Sequence, residues 1–142
     1  MRISTKGRYG LAAMLCLAEK SEHRTAVDIA QKLGISKIYL EQVLALLKNA
    51  GLVQSLKGSQ GGYFIETPPE NITVLDIMRA TETSVFERTE SLNSASPNME
   101  KALQNVVWEP LDKTVQDFFK QIDLKTLLEN CKNSGTGYMF YI

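Results

Sequence analysis

The feature that most constrains this chain of 142 residues is a pair of short, capped helices between Thr25 and Gly51. Thr25 begins the first helix with a capping-box pattern, in which a hydroxyl precedes a carboxylate by three residues. Gly34 ends that helix, and Ser36 follows as the N-cap of a second helix that ends at Gly51. Two helices joined by a short turn that contains glycine predict a helix-turn-helix.

The hydrophobic pattern changes from a helical to a strand-like period directly after the second helix. Residues 52–57 and 62–65 are predicted as two short strands, joined by a glycine-rich turn at 58–61. The adjacent prolines Pro68 and Pro69 end the hairpin, since proline cannot donate to a strand ladder. A helix-turn-helix followed by a hairpin is a winged helix. The predicted fold class is therefore mainly α, a winged helix-turn-helix with a β-hairpin wing and a long dimerisation helix.

Apolar residues at steps of three and four predict that long helix in the second half of the chain. The stripe spans about 24 residues, or roughly 36 Å at 1.5 Å per residue. The winged-helix unit alone is too small to bury a complete hydrophobic core. We therefore predict that the stripe pairs with a second copy of the chain. Pro110 should kink the helix or split it near Val106. The candidate dimerisation residues are Leu103, Val106, Val107, Leu111, Val115, Phe118, Phe119 and Ile122.

The remaining segments complete the predicted organisation. A helix runs from Thr5 to about Lys20, and a second capping box at Thr73 opens a helix that ends near Thr81. Asp123 is the expected cap of a short terminal helix. The predicted divisions are a winged helix-turn-helix unit (1–82), a polar loop (83–97), a dimerisation helix with a short terminal helix (98–130) and a C-terminal tail (131–142).

The formal net charge of zero divides unequally along the chain. Residues 1–62 carry nine basic and four acidic side chains, a charge of +5, and residues 63–142 carry seven basic and twelve acidic ones, a charge of −5. Such asymmetry favours a nucleic-acid contact in the basic part. Together with the winged helix it predicts that the first part of the chain binds double-stranded DNA.

The candidate DNA-binding residues lie on three segments. At the start of the second capped helix, hydroxyls suit phosphates, while Gln42 can read adenine and Glu41 can accept from cytosine. The wing offers Lys57 and glycines that permit close approach, and basic side chains precede the first helix. The full set is Arg2, Ser4, Lys6, Arg8, Ser36, Lys37, Tyr39, Glu41, Gln42, Lys57, Gly58, Ser59, Gln60 and Gly61.

Several functional classes are excluded by composition. No apolar run approaches the ~20 residues that a membrane span needs, and no secretory signal opens the sequence, so we expect a cytoplasmic protein with no membrane partner. One histidine and two distant cysteines, Cys16 and Cys131, give no disulfide framework, metal-ligand spacing or nucleophile–base pair. We expect no enzyme, no cofactor and no metal site, with Cys16 as a small buried hydrophobe.

The residues also resemble a known family. MRISTKGRYGL (1–11), GISKIYLEQVLALLKNAGLVQSLKGSQGGY (34–63) and ITVLDIMRATE (72–82) resemble the Rrf-type bacterial regulators, the group of IscR, NsrR and CymR. The segments 107–119 and 122–130 match the dimerisation and terminal helices of the family more loosely. The resemblance implies a homodimer with two winged-helix heads that binds a palindromic operator, usually as a repressor.

Two further features predict the subtype. Some members hold an iron–sulfur cluster through three cysteines in the loop before the long helix, whereas residues 83–130 contain no cysteine here, so no cluster is expected. The ending Tyr138, Met139, Phe140, Tyr141 and Ile142 resembles that of the cluster-free regulators of cysteine metabolism. That resemblance implies a homodimeric repressor of cysteine or sulfur genes, with cysteine synthase as a partner of the tail. Packing of the tail on the dimer helices is the simpler alternative.

Other functions stay open at this point. The chain could be another Rrf-type regulator that responds to redox state, nitrosative stress or a metal. It could also be a protein–protein adaptor that uses a winged helix without DNA, because fold does not imply function.

Overall fold

The protein is described by a computed structural model that covers residues 2–20, 22–82, 84–93 and 95–140, with side chains described as far as Asn133. The helices are α1 (Thr5–Ala18), α2 (Ala26–Leu33), α3 (Lys37–Asn49), α4 (Val74–Thr81), α5 (Pro97–Leu103), α6 (Glu109–Lys120) and α7 (Leu124–Phe140). Two strands, β1 (Gln54–Leu56) and β2 (Gly62–Phe64), form the hairpin. The mainly α fold with one small antiparallel sheet confirms the predicted fold class.

Local capping explains where the two helices of the helix-turn-helix begin and end. The hydroxyl of Thr25 accepts from the Asp28 N–H at 3.1 Å, and that of Ser36 accepts from the Tyr39 N–H at 3.1 Å. Between these helices Gly34 has φ +69°, a left-handed conformation that glycine adopts without a Cβ penalty. The predicted caps are therefore confirmed. At Thr73 the capping box is reciprocal: the hydroxyl accepts from the Asp76 N–H, and the Thr73 N–H donates to the Asp76 carboxylate. At Thr25 the structure gives only the first of these two bonds.

The wing is joined to the helical head by backbone pairing that the sequence did not indicate. Within the hairpin, Ser55 pairs with Tyr63. On its other edge, Tyr63 exchanges hydrogen bonds of 2.9 and 2.7 Å with Arg24, which lies just before α2. A Cβ at Gly62 would lie 2.7 Å from the Arg24 carbonyl oxygen, so this close approach requires glycine. Arg24 thus forms an isolated antiparallel bridge to β2.

The core lies where α1, α3 and α4 pack together. Met14, Leu44 and Ile77 are fully buried and form its centre. The second half of the chain joins the same core, because Leu124 at the start of α7 is fully buried. Backbone hydrogen bonds of 2.8 Å link the segments around Thr73 and Asp123 in both directions. The helices α6 and α7 are therefore attached directly to the winged-helix head.

The long helix is interrupted where the sequence predicted. Between α5 and α6, residues Gln104–Trp108 form a π-helical turn, and the Glu109 N–H donates to the Gln104 carbonyl oxygen five residues back. Pro110 follows at once. Proline removes one backbone donor and its ring clashes with the carbonyl four residues earlier, which is Val106. A wider turn at this point accommodates both effects.

Two predicted boundaries differ from the structure at helix ends. Helix α1 ends at Ala18, two residues before the predicted end. The segment predicted as a tail from residue 131 is helical as far as Phe140, so α7 is not the short helix that was expected. Glycine costs only about 1 kcal/mol within a helix, and Gly135 and Gly137 therefore do not stop it.

The predicted partner tail falls largely outside the described part of the chain. Tyr141 and Ile142 lie beyond it, and the side chains of Tyr138, Met139 and Phe140 do as well. Within the residues that are described, none of the helices is both long enough and apolar enough to cross a membrane.

Candidate nucleic-acid interface

Helix α3 presents one buried and one open face. Four of its apolar side chains, Leu40, Val43, Leu44 and Leu47, are fully buried and fix the helix on the core. The side chains predicted to meet DNA lie on the other side, since Ser36, Lys37, Glu41 and Gln42 are exposed. A helix that is held by one face and has the opposite face of its N-terminal half free in solvent matches the geometry of a recognition helix.

Three of the predicted contacts on α3, namely Lys37, Tyr39 and Glu41, have side-chain partners within the protein. Lys37 Nζ lies 3.6 Å from a Glu41 carboxylate oxygen, and both side chains are about half exposed, so this pair adds little to stability. Tyr39 is half-buried and its ring packs edge-on against Tyr9 at a centroid distance of 5.9 Å. Tyr39 is therefore only partly available for a contact with DNA, whereas Lys37 and Glu41 are exposed and can exchange partners.

An open groove separates α3 from the wing. Its lining includes Lys37, Glu41, Ser55, Lys57 and Gly58, and its volume is about 370 Å³. The groove brings predicted residues of the recognition helix and of the wing to one surface. Its mixture of cationic, hydroxyl and backbone groups suits a phosphate backbone.

The turn of the wing is held in a conformation that requires glycine. Gly58 has φ +105°, and a Cβ at Gly61 would lie 2.2 Å from the Leu56 carbonyl oxygen. His23 Nε2 lies 3.1 Å from the Gln60 carbonyl oxygen, which ties the turn to the loop before α2. The exposed residues of the turn include Ser59 and Gln60. The wing tip is thus compact and offers backbone groups for a close approach.

The basic side chains of the N-terminal segment are exposed, but the serine among them is not free. Arg2, Lys6 and Arg8 are all exposed. Ser4 is half-buried: its N–H and hydroxyl donate to Glu82 Oε1 at 2.7 and 2.6 Å, and its oxygen caps α1. Ser4 thus differs from the exposed basic side chains of this segment, because its N–H and hydroxyl are both bonded to Glu82.

Glu82 is the functional residue that the sequence reasoning missed. Its side chain is only 6% exposed, and it joins the end of α4 to the start of α1, where a carboxylate is favoured by the helix dipole. The two partners are 78 positions apart. A local pattern could not reveal this contact, which fixes the segment that carries Arg2, Lys6 and Arg8.

In the part of the chain that the structure describes, three groups have pKa values shifted from their usual range. Burial raises the pKa of the Cys16 thiol, which keeps it protonated and fits its interpretation as a small hydrophobe. A hydrogen bond from Lys32 lowers the pKa of Glu19, whose carboxylate also accepts from Arg24 at 3.3 Å. The backbone N–H of Thr126 lowers the pKa of Asp123, as expected for the cap of α7.

The apolar stripe of the long helix divides into two sets. Phe119 and Ile122 are half-buried and pack against the core, whereas Phe118 is 58% and Val106 74% exposed. The exposed set also includes Val107 and Leu111, while Leu103 and Val115 are intermediate. Val115 and the two phenylalanines line an apolar groove together with Ile3 of the N-terminal segment. Part of the stripe thus packs on the core of the head, and the remainder forms an exposed apolar face.

The residues present do not fit an iron–sulfur cluster. In the described residues no three histidine, cysteine or acidic side chains are grouped so that they could share a metal ion. The two cysteines lie on α1 and α7, one buried and one exposed. The loop before α5 is instead held by hydrogen bonds of 3.1 and 2.9 Å from Thr89 to the Asp112 carboxylate. Such clusters need thiolate ligands, which this loop lacks.

Comparison with known proteins decides the family. The family described as "Rrf2: Iron-dependent Transcriptional regulator" matches residues 3–130. The chain belongs to the Rrf2 family. The transcriptional regulator CymR of Bacillus subtilis (strain 168) is 40% identical over 146 aligned positions, which cover 100% of each chain. Membership in a family of transcriptional regulators confirms the predictions of a regulator and of a protein that is not an enzyme.

Solved structures of Rrf2 proteins agree with the fold. The B. subtilis CymR structure, described as that of the global cysteine regulator, superposes with a TM-score of 0.77 at 34% identity, covering 92% of this chain and 98% of that one. T. potens IscR gives a TM-score of 0.76 at 34% identity, with coverages of 99% and 97%. Because the two regulators fit about equally well, the overall fold does not distinguish the subtype.

Proposed function

We propose that this Rrf2 protein is a homodimeric repressor of cysteine or sulfur metabolism genes that binds a palindromic operator and works without an iron–sulfur cluster. The observation that carries the DNA-binding part is the open face of α3, which lies beside the wing and bears Ser36, Lys37, Glu41 and Gln42. The subtype is supported by the end-to-end match to CymR and by a loop without cysteine.

The proposed mechanism separates affinity from sequence reading. Arg2, Lys6, Arg8 and Lys57 contact phosphates and supply most of the affinity, while Gln42 and Glu41 reach base edges in the major groove. Two heads of a dimer then engage half-sites about one DNA turn, ~34 Å, apart. The opposite charges of the two parts of the chain favour an approach in which the heads meet DNA first.

Two kinds of substitution test this separation. We expect Lys57→Ala to weaken binding to all duplexes alike and to reduce the salt slope by about 0.9 for each phosphate that the lysine no longer neutralises. Gln42→Ala should instead relax the preference at one base pair in each half-site, at a cost of about 1–3 kcal/mol. Glu41→Ala should do the same at a different base pair.

The measurement is a binding titration by fluorescence anisotropy with an operator fragment and its single-base variants. Lys20→Ala is a suitable control, because Lys20 is an exposed lysine outside the three proposed segments. If base preferences are unchanged in both the Gln42 and Glu41 variants, these residues do not read the sequence.

The proposed partner of the C-terminal tail is cysteine synthase. The support is the likeness of the last five residues, Tyr138 to Ile142, to the ending of cluster-free relatives, and the match to CymR along the whole chain. A pull-down from native lysate with the full chain is expected to retain the synthase, and a version that ends at Gly137 should lose it. Equal retention by both versions, or by neither, would contradict this role of the tail.

A metal-responsive regulator is the second candidate, because the family is described as iron-dependent. It would have to bind iron through ligands other than a cysteine set in the loop. Iron analysis and a visible absorption spectrum of protein purified without oxygen distinguish the two candidates. A protein–protein adaptor would show no operator binding in the titrations described above.

A further inference from the structure

One large apolar side chain on α3 has no role in the core. Ile38, the second residue of the helix, is 74% exposed, while the other aliphatic residues that α3 shares with the core, Leu40, Val43 and Leu44, are fully buried. An isoleucine is not required at this position by packing. It is also not favoured by helix propensity, since β-branched residues are weaker helix formers than alanine or leucine.

The position of Ile38 defines what it can touch. Residues three and four apart lie on the same face of a helix, so Ile38 shares its face with Glu41 and Gln42, which are both exposed. This is the first turn of the helix that Ser36 caps. In a recognition helix, that turn approaches the base edges of the major groove.

The neighbours of Ile38 on α3 itself are not those of a protein-docking surface. The neighbours of Ile38 on the exposed face, Lys37, Glu41 and Gln42, are charged or polar. No continuous apolar patch therefore forms around it on α3, and protein-docking surfaces are generally continuous. The major groove of DNA, in contrast, offers one isolated apolar group among many polar ones, which is the C5-methyl of thymine.

We propose that Ile38 contacts the C5-methyl of a thymine in each half-site and that this contact helps to determine which operator is bound. The inference rests on the proposed DNA-binding function and adds a specificity residue to it. It also predicts that a thymine lies close to the base that Gln42 reads. Gln42 reads an adenine, and Ile38 lies one helical turn earlier, so the thymine lies one or two base pairs from that adenine.

The test uses uracil, which is thymine without the methyl group. The intact protein first selects duplexes from a random pool, and each thymine of the selected sequence is then replaced by uracil in both half-sites. For the unaltered protein, we expect one position at which the replacement weakens binding about fourfold per half-site, the factor for one CH₂-sized group removed from water. Ile38→Ala should bind the thymine and uracil duplexes equally at that position.

A control variant separates a specific effect of Ile38 from a general loss of apolar surface, and the two contradicting outcomes have different meanings. Ile38→Ala should fold normally, because the side chain is exposed and alanine is the stronger helix former. Leu92→Ala removes a comparable aliphatic side chain, 55% exposed, in the loop before α5 and should keep the full sensitivity to uracil. Selection that yields no sequence would overturn the proposed function itself. Binding that is insensitive to uracil at every position, or equally sensitive in Ile38→Ala, would overturn the role of Ile38 alone.

Discussion

Raising the salt concentration from 50 to 200 mM is expected to weaken operator binding about a thousandfold or more. Four basic side chains on each head are exposed and are proposed to contact phosphates, namely Arg2, Lys6, Arg8 and Lys57. Each phosphate contact releases counterions, so the logarithm of the binding constant falls linearly with the logarithm of the salt concentration, with a slope of about −0.9 per contact. About six to ten phosphate contacts in the dimer therefore give a decrease of about 10³–10⁵ in affinity over this range.

The experiment is an anisotropy titration at four or more salt concentrations, with the operator and with an unrelated duplex of equal length. The oligomeric state of the free protein, measured by sedimentation over the same range, is the control. An apolar dimer interface should not weaken with salt, so any decrease in binding then comes from the DNA contacts. A flat titration would mean that phosphate contacts do not provide the affinity.

Replacing Phe118 by glutamate is expected to convert the protein into a monomer and to lower operator affinity at least a hundredfold. Phe118 is 58% exposed on α6 and lies in the apolar groove beside Val115. A carboxylate buried at such an interface has no partner and carries a large desolvation cost. Binding two linked half-sites raises the affinity about 10²–10⁴-fold, and this gain is lost once the two heads separate.

Neighbouring residues provide matched controls for Phe118→Glu. Lys120→Glu also adds a negative charge to an exposed position of α6, but on the opposite side of the helix, and should leave the dimer intact. Phe119→Ala should lower the stability of the folded chain, because Phe119 packs on the core and against Phe86 at a ring distance of 6.1 Å. A Phe118→Glu protein that sediments as a dimer and binds the operator normally would exclude this face of α6 from the interface.

The helix-turn-helix could be predicted from sequence because its signals are local. The caps at Thr25 and Ser36 and the left-handed Gly34 each depend on residues within three or four positions, and all three have the expected geometry. The π-helical turn before Pro110 was also foreseeable as an interruption, since proline acts on the preceding turn.

The features that could not be predicted from sequence are mainly contacts between distant segments. The full length of α7 is a further one. Glu82 meets Ser4 across 78 positions, and Arg24 pairs with Tyr63 across the head. Neither pair has a sequence signature. Ile38 lies outside the helical spacing of Leu40, Val43 and Leu47, and no local pattern assigned it a role. The length of α7 was underestimated, since glycines weaken a helix without necessarily ending it.

The π-helical turn at Gln104–Trp108 also determines how the side chains of α6 are oriented about the helix axis. A regular α-helix advances about 100° per residue, and a π turn accommodates one residue more than an α turn in the same circuit. The exposed face of α6, which bears Leu111 and Phe118, is therefore offset by about a quarter of a revolution from where an unbroken α-helix would place it. In the proposed dimer, this single extra residue therefore determines the direction in which one head faces the other.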